Sequence, residues 1–253
     1  MMTRLDAGTR PAGDGRPNLS DLAYDRLEEL IVTCALPLGL FLSIQDLQAQ
    51  TGIGRTPMHQ AVSRLAFDTL IRVRPRHGIQ VAPINLARER TLLHLRRDVE
   101  RFVVRLAAER ADDAHRDGLA AIAEALRDRD GGMDIGAFNS LDQRINRLLI
   151  AAAGEPFLEA TLRPLHTIFR RIGWIYHSRV RPDDLAGTLL GHLAIVEAVA
   201  AGHVAEAAAA SDVLIGFVEG MFDLLDGWDD PALFDCNLQM PHSGVCPARD
   251  QTR

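Results

Sequence analysis

A change of hydrophobic pattern at Pro83 divides this sequence into two parts. Before Pro83, short apolar periods alternate with Gly and Pro, whereas residues 86–226 are rich in Ala, Leu, Arg and Glu and show no strand pattern. Turn signals occur in the second part at 130–132, 154–156, 181–183 and Gly202, and they divide it into about six helices of roughly 13 to 27 residues. The pattern predicts an antiparallel helical bundle behind a smaller unit of mixed structure.

The length of 253 residues is sufficient for about two domains. We expect an N-terminal arm at 1–19, a first domain at 20–82, a linker at 83–87, a helical domain at 88–226 and a tail at 227–253. No run approaches the ~20 apolar residues of a membrane span, and the N-terminus lacks the apolar segment of a signal peptide. We therefore expect a cytoplasmic protein without a membrane partner. The tail residues Cys236, His242 and Cys246 do not have the spacing of a structural zinc site.

Three short helices and a β-hairpin are predicted in the first domain, with helices near 20–34, 43–50 and 57–70. Ser43 and Asp46 resemble a capping box, and Thr56 before Pro57 is a strong helix start because Thr can cap exposed amides. The third helix should turn four residues inward: Met58, Ala61, Val62 and Leu65. Two short alternating segments flank a turn at 75–78 and predict a hairpin wing. The fold class is therefore mainly α, a winged helix-turn-helix followed by an all-α antiparallel bundle.

A winged helix-turn-helix places its recognition helix in the major groove of DNA and its wing beside it. The chain carries a net charge of −6, but residues 50–80 contain five arginines and a single aspartate, Asp68. We expect Arg55 to contact phosphate or guanine, Thr56 and Arg64 to contact phosphate, and His59 and Gln60 to face the groove. The candidates in the wing are Arg74, Arg76, His77 and Gly78, the last because glycine permits close approach to DNA. Each signal alone also fits a solvated hairpin or an ordinary helix start, and it is their combination that favours DNA binding.

The segment Thr51–Leu65, TGIGRTPMHQAVSRL, followed by RPRHGIQV at Arg74–Val81, resembles the GntR-type winged helix, whose signature reads GVSRTPVREAL before a GxxV wing. The sequence departs from that signature at Gly54, His59 and Gln60, where the family has Ser, Arg and Glu. Because the family arginine is a principal base reader, His59 implies a different operator sequence. Other positions keep family residues: Arg55, Thr56 and Gly78, with His77 matching the wing tip of some members.

The helical part resembles the effector domain of the fatty-acid-regulator branch, the FCD domain, through LRRDVE at 95–100, AGEPFL at 153–158 and GHLAI at 191–195. The resemblance implies a metal site, because many such domains hold a divalent metal with an aspartate, a histidine four residues later and two further histidines. Here Asp142 and His192 remain, whereas Asn146 and Leu214 replace histidines. This set makes a poor zinc site, so we expect no required cofactor. The alternative is a metal held by Asp142, Asn146 and His192.

Without a metal, a carboxylate effector needs another cation. The resemblance places Arg96 at a position facing the pocket, and Arg170 and Arg171 lie mid-helix among apolar residues, a setting that favours paired or ligand-bound guanidinium. We predict a small acidic metabolite as effector. The predicted effector-binding residues are Arg96, Asp142, Asn146, Arg170 and His192. The alternatives are arginines in surface ion pairs and a His192 that only lines the pocket.

These features together predict a homodimeric repressor that binds a palindromic operator in double-stranded DNA and is released by its effector, with coupling through the linker. Activation is the alternative mode. A competing class is a helical metal-dependent enzyme with an accessory DNA-binding head, suggested by Asp142 and His192. The sequence shows no nucleophile–base pairing or phosphate loop that would support it. A non-specific architectural DNA binder would leave the large helical domain unexplained.

Overall fold

The computed structural model of the chain describes residues 18–128, 132–182 and 184–226. Its winged domain contains, in order, α1 (Leu19–Val32), β1 (Phe41–Leu42), α2 (Ile44–Thr51), α3 (Arg55–Phe67), β2 (Ile71–Arg74) and β3 (Gly78–Val81). The helical domain contains α4 (Leu86–Arg110), α5 (Asp113–Arg127), α6 (Ile135–Ala153), α7 (Phe157–Ile175), a π-helical turn (Tyr176–Val180), α8 (Ala186–Ala200) and α9 (Val204–Asp226). The mainly α fold with a small wing is confirmed. The predicted tail and its Cys236, His242 and Cys246 lie outside the described residues, as do residues 1–17 of the predicted arm.

The predicted capping box starts α2. The Asp46 carboxylate accepts from the Ser43 backbone N–H at 2.7 Å, and the Asp46 N–H donates to Ser43 Oγ at 3.2 Å. The helix ends at Thr51 and is capped by Gly52, whose φ of +71° is a conformation that favours glycine. Residues 52–54 therefore form the short turn that positions α3 after α2.

The third helix, α3, begins two residues earlier than expected. Gly54 is the N-cap residue and provides no side-chain hydrogen bond, so the prediction that Thr56 caps this helix is wrong. Pro57 occupies the third helical position, where a backbone N–H would have had no intrahelical partner. The helix ends at Phe67 rather than near 70, because Thr69 adopts a left-handed φ of +63°. Its apolar face is as predicted, with four buried residues: Met58, Ala61, Val62 and Leu65.

The wing is an antiparallel sheet in the order β1-β3-β2. The predicted hairpin is present, with Arg74 opposite Gly78. The strand β1 was not predicted, because two residues are too few to show an alternating pattern. A Cβ at Gly78 would lie 2.6 Å from the Leu42 carbonyl oxygen, and its φ is +93°. The approach of β1 therefore requires glycine at position 78.

Helix α7 joins the two domains. Most of its apolar residues belong to the core of the helical domain, but Ile168 is buried in the core of the winged domain. That core also contains residues of α1 and α3, including Leu27 and Leu65. The winged domain thus completes its core with a side chain from the helical domain.

The chain passes between the domains at residues 82–85, and α4 begins at once with the Asn85 side chain accepting from the Arg88 N–H at 3.0 Å. Arg171 lies at this junction and not in a ligand cavity. Its guanidinium donates to the Ala82 carbonyl oxygen at 2.9 Å and lies 3.6 Å from the Glu89 carboxylate. Burial raises the pKa of Glu89 to about 7 despite the nearby Arg171. In the described ranges, no helix combines the length and the apolar character that a membrane crossing requires.

Candidate DNA-binding surface and ligand cavity

The first turn of α3 is presented to solvent. Its exposed side chains are Arg55, Thr56, His59 and Gln60. Because no side chain caps the helix, its first backbone N–H groups are available to an external acceptor. The positive end of a helix attracts phosphate, so this turn can contact both the DNA backbone and the base edges.

Two of the predicted DNA-contacting residues are engaged with α1. Arg64 Nη1 lies 2.5 Å from Asp21 Oδ1, and the guanidinium lies 4.4 Å from the centre of the Tyr24 ring. The Ser20 hydroxyl donates to the side-chain carbonyl of Gln60. These contacts fix α3 against α1. A phosphate contact by Arg64 stays a prediction, and it would require Arg64 to exchange Asp21 for the phosphate.

The wing presents three exposed basic or titratable side chains: Arg74, Arg76 and His77. Arg76 adopts a left-handed φ of +66° in the turn, and the His77 ring lies 6.3 Å from the ring of Phe41. The sheet already explains the glycine at position 78. A DNA contact at Gly78 therefore stays a prediction without separate structural support.

Helices of the helical domain surround a cavity that is partly open to solvent, and the space in it not filled by protein atoms, including that open part, is about 550 Å³. Four of the five predicted effector-binding residues line it together: Arg96, Asp142, Arg170 and His192. Leu214, at the position expected for a lost histidine, also lines it. Asn146 does not line this cavity but a neighbouring smaller one, whose wall also includes Arg170.

The Asp142 and His192 side chains pair with each other. His192 Nε2 lies 3.3 Å from Asp142 Oδ1, and His192 Nδ1 lies 2.8 Å from the Thr188 carbonyl oxygen. Burial opposes ionisation of Asp142, but the His192 hydrogen bond and the nearby Arg170 and Arg96 charges lower its pKa to about 2. This carboxyl group is therefore ionised at neutral pH.

The donor set around Asp142 does not fit a tightly bound zinc ion. Asn146 turns its amide N–H toward Asp142 Oδ1 at 2.9 Å, and Leu214 has no donor atom. One carboxylate and one imidazole remain, fewer than the three or four protein ligands of zinc sites. Within the described ranges, no three His, Cys, Asp or Glu residues are grouped so that they could hold a metal ion.

A second buried cluster, which the sequence did not predict, holds Arg96. The Glu100 carboxylate accepts from Arg96 Nε at 3.1 Å and lies 2.6 Å from His166 Nε2. Burial raises the pKa of Glu100, but His166 and Arg96 outweigh it and lower that pKa to about 2. The four-residue spacing of Arg96 and Glu100 could have suggested a helical ion pair. His166 comes from another helix and has no local signal.

Arg170 connects the cavity to the winged domain. Its Nε donates to Asn139 Oδ1 at 3.1 Å, and its Nη2 lies 3.4 Å from Glu29 Oε2 in α1. The Asn139 amide donates to both carboxylate oxygens of Glu29, at 3.1 and 3.2 Å. A carboxylate of the winged domain is thus held by two residues of the cavity wall.

His177 is a further cavity residue that sequence reasoning missed. The π-helical turn carries it, and such turns are frequent at functional sites. His177 Nε2 lies 2.9 Å from Thr188 Oγ1, whereas Nδ1 is buried and has no hydrogen-bond partner among the described residues. Burial lowers the pKa of His177, so the ring is neutral at neutral pH. The neutral ring can donate one hydrogen bond to a ligand or accept one from it.

Two family models match the chain: bacterial regulatory proteins of the gntR family at residues 19–81, and the FCD domain at residues 91–216. An HTH-type transcriptional regulator of Streptomyces ambofaciens is 30% identical over 199 residues, which are 76% of this chain and 79% of the relative. The HTH-type transcriptional repressor RspR of Escherichia coli K12 is 26% identical over 176 residues, 70% of this chain and 76% of RspR. Among solved structures, McbR/YncC of E. coli has a TM-score of 0.72 over 83% of this chain and 100% of that chain. At 16% identity, this last similarity shows the fold alone.

Proposed function

Because the chain belongs to the gntR family of DNA-binding transcriptional regulators and carries an FCD domain, we propose that it is a homodimeric repressor released from a palindromic operator by a small carboxylate-bearing metabolite. The family and the named relatives are regulators and not enzymes, which removes the competing interpretation as a metal-dependent enzyme. One relative is named a repressor, which favours repression over activation. The observation that carries the proposal is α7, which lines the ligand cavity through Arg170 and enters the winged core through Ile168.

In the proposed complex, the first turn of α3 enters the major groove. Arg55 contacts guanine or phosphate, Thr56 contacts phosphate, and His59 and Gln60 meet base edges. The wing arginines Arg74 and Arg76, with His77 beside them, contact the flanking backbone. Two copies related by two-fold symmetry present two such surfaces, so the operator would be palindromic.

The effector in this proposal is a small acid held by guanidinium groups, without a required metal. Arg96 and Arg170 line the same cavity, and each makes an ion pair through part of its guanidinium group. Five N–H donors on each arginine allow a further carboxylate to bind in a bidentate manner. His192, and His177 with its unpartnered Nδ1, supply hydrogen bonds to the remainder of the ligand.

Coupling would run through α7, in addition to the short linker. An effector can release DNA only if it binds the two domain arrangements with unequal affinity. Arg170 provides a physical source for such a difference, because it contacts Glu29 of the winged domain from the cavity wall. A ligand that changes this contact changes the free energy of domain docking.

Selection of genomic fragments by the purified chain, followed by titration of acids suggested by the neighbouring genes, tests the proposal. We expect a palindromic sequence, bound at fixed salt about a thousandfold or more tightly than random DNA, and weaker binding when the effector acid is added. The variant Arg105→Ala removes an exposed arginine of α4, outside the proposed DNA-binding surface. It should bind the operator and respond to the acid as the wild type does, and it so controls for the loss of one positive charge. Equal binding to all duplexes would refute sequence-specific regulation. Tighter operator binding with the acid would refute release by the effector.

A further inference from the structure

We propose that Glu29, although it belongs to the winged domain, is part of the effector site and competes with the effector carboxylate for Arg170. This inference rests on the proposed carboxylate effector. In the ligand-free arrangement, Glu29 acts as an internal anion that holds α1 against α6 and α7. An acid that binds Arg170 displaces it and so weakens the docking of the winged domain.

The geometry supports competition at one guanidinium. Arg170 lines the effector cavity with a side chain that is only 3% exposed, whereas the Glu29 side chain is 36% exposed. Glu29 Oε2 lies 3.4 Å from Arg170 Nη2, a long contact, and both its oxygens accept from the Asn139 amide. Asn139 also lines the cavity. The two residues that hold Glu29 are therefore both part of the cavity wall.

The chemistry of the guanidinium makes the competition direct. A carboxylate binds arginine best when its two oxygens accept two parallel N–H bonds. The Arg170 Nε already donates to Asn139, so a bidentate acid would use Nη1 and Nη2, and Nη2 is also the nitrogen that faces Glu29. Nη2 has two hydrogens, so the competition arises because two carboxylates at one guanidinium repel each other, and a bidentate acid would make two N–H bonds where Glu29 makes one long contact.

Displacement of Glu29 would be transmitted to the recognition helix by α1. The same helix contacts α3 through Asp21 and Arg64, and its Tyr24 hydroxyl donates to Asp68 at 2.6 Å. A second group of contacts, from Asp25 to Arg147 and Arg163, ties α1 to the helical domain at a different place. Release at Glu29 alone would therefore tilt the winged domain about the contacts that remain.

The test is the affinity of the full chain for a panel of short mono- and dicarboxylates, measured by calorimetry on the wild type and on Glu29→Gln. We expect the variant to bind the acids about 5- to 20-fold more tightly, because the competing charge is gone while the amide keeps the shape. Asp25→Asn is the matched control, since it removes an acid of the same helix that does not face Arg170, and we expect no change beyond about twofold. By reciprocity, operator DNA should weaken acid binding to the wild type more than to Glu29→Gln.

Unchanged or weaker acid binding by Glu29→Gln would overturn the proposal, and so would an equal gain in Asp25→Asn, which would indicate general loosening of the domains. Thermal melting of each variant verifies that it is folded. If Glu29→Gln is unstable, Glu29→Asp, which keeps the charge but shortens the side chain, should give a smaller gain. If Arg170→Gln abolishes acid binding while Glu29→Gln leaves it unchanged, only the role of Glu29 is refuted. If no acid binds the wild type or Glu29→Gln, the carboxylate effector itself is refuted.

Discussion

Replacing Ile168 by alanine removes the side chain through which α7 enters the core of the winged domain. Ile168 is 3% exposed and belongs to the same apolar cluster as Leu27 and Leu65. Truncation of a buried isoleucine costs about 2–5 kcal/mol, with the largest losses where the surroundings cannot collapse. Because this site lies between two domains that can move toward each other, we expect a loss of about 2–3 kcal/mol in the free energy of unfolding. Ile168→Val should cost about 1 kcal/mol.

Urea denaturation measures the stability, and operator titration with and without the effector acid measures the coupling. Ile145→Ala is the matched control, because Ile145 is 1% exposed in the core of the helical domain and does not contribute to the winged core. It should lose similar stability while keeping the effector response, whereas Ile168→Ala should lose most of that response. A loss below about 0.5 kcal/mol, the range of ordinary surface substitutions, would refute the packing argument. Equal responses in the two variants would refute coupling through α7.

Three further outcomes are expected. Arg55→Ala should weaken operator binding by about 1–3 kcal/mol per half-site in gel-shift titrations, and unchanged affinity would remove Arg55 from the interface. Glu89→Gln should alter the pH dependence of stability. Burial raises the pKa of Glu89 from 4.5 to about 7, so the folded wild type holds the proton of this carboxyl group more tightly than the unfolded chain does. The wild type therefore loses stability as the pH rises between these two values. Urea titrations of the variant should show a flatter profile in that window, and an identical profile would contradict the assignment. His192→Ala should bind operator normally without ligand but respond weakly to the effector acid, and normal release would exclude His192 from the ligand site.

Local signals predicted most of the winged domain. The Ser43 capping box and the alternation of the two wing strands depend on neighbouring residues, so the sequence alone shows them. The start of α3 was misplaced because Gly54 caps the helix through extended backbone and offers no side chain as a signal. The strand β1 was missed because pairing with β3, and not its own two residues, creates it.

The cavity was predictable only in part. The family resemblance pointed to Arg96, Asp142 and His192, and the apolar neighbours of Arg170 on its helix pointed to that arginine; all four line the same cavity. Their partners were not predictable, since contacts between helices leave no local pattern. The Glu100 carboxylate meets a histidine 66 residues away, and Arg170 meets an acid 141 residues away in the other domain. The π-helical turn that aims His177 continues the periodicity of α7 and cannot be distinguished from it in the sequence.

These partners make the two cavity arginines unequal. Arg96 is paired with Glu100 on its own helix, so a ligand that binds Arg96 directly changes contacts within the helical domain. Arg170 is paired with an acid of the winged domain, so a ligand that binds Arg170 also changes the interface between the domains. Binding energy at Arg96 can reach the winged domain only indirectly, through Glu100 and His166 of α7, whereas binding energy at Arg170 acts on the contact with Glu29 itself. Since only a difference in affinity shifts an equilibrium, the effector response should depend on Arg170.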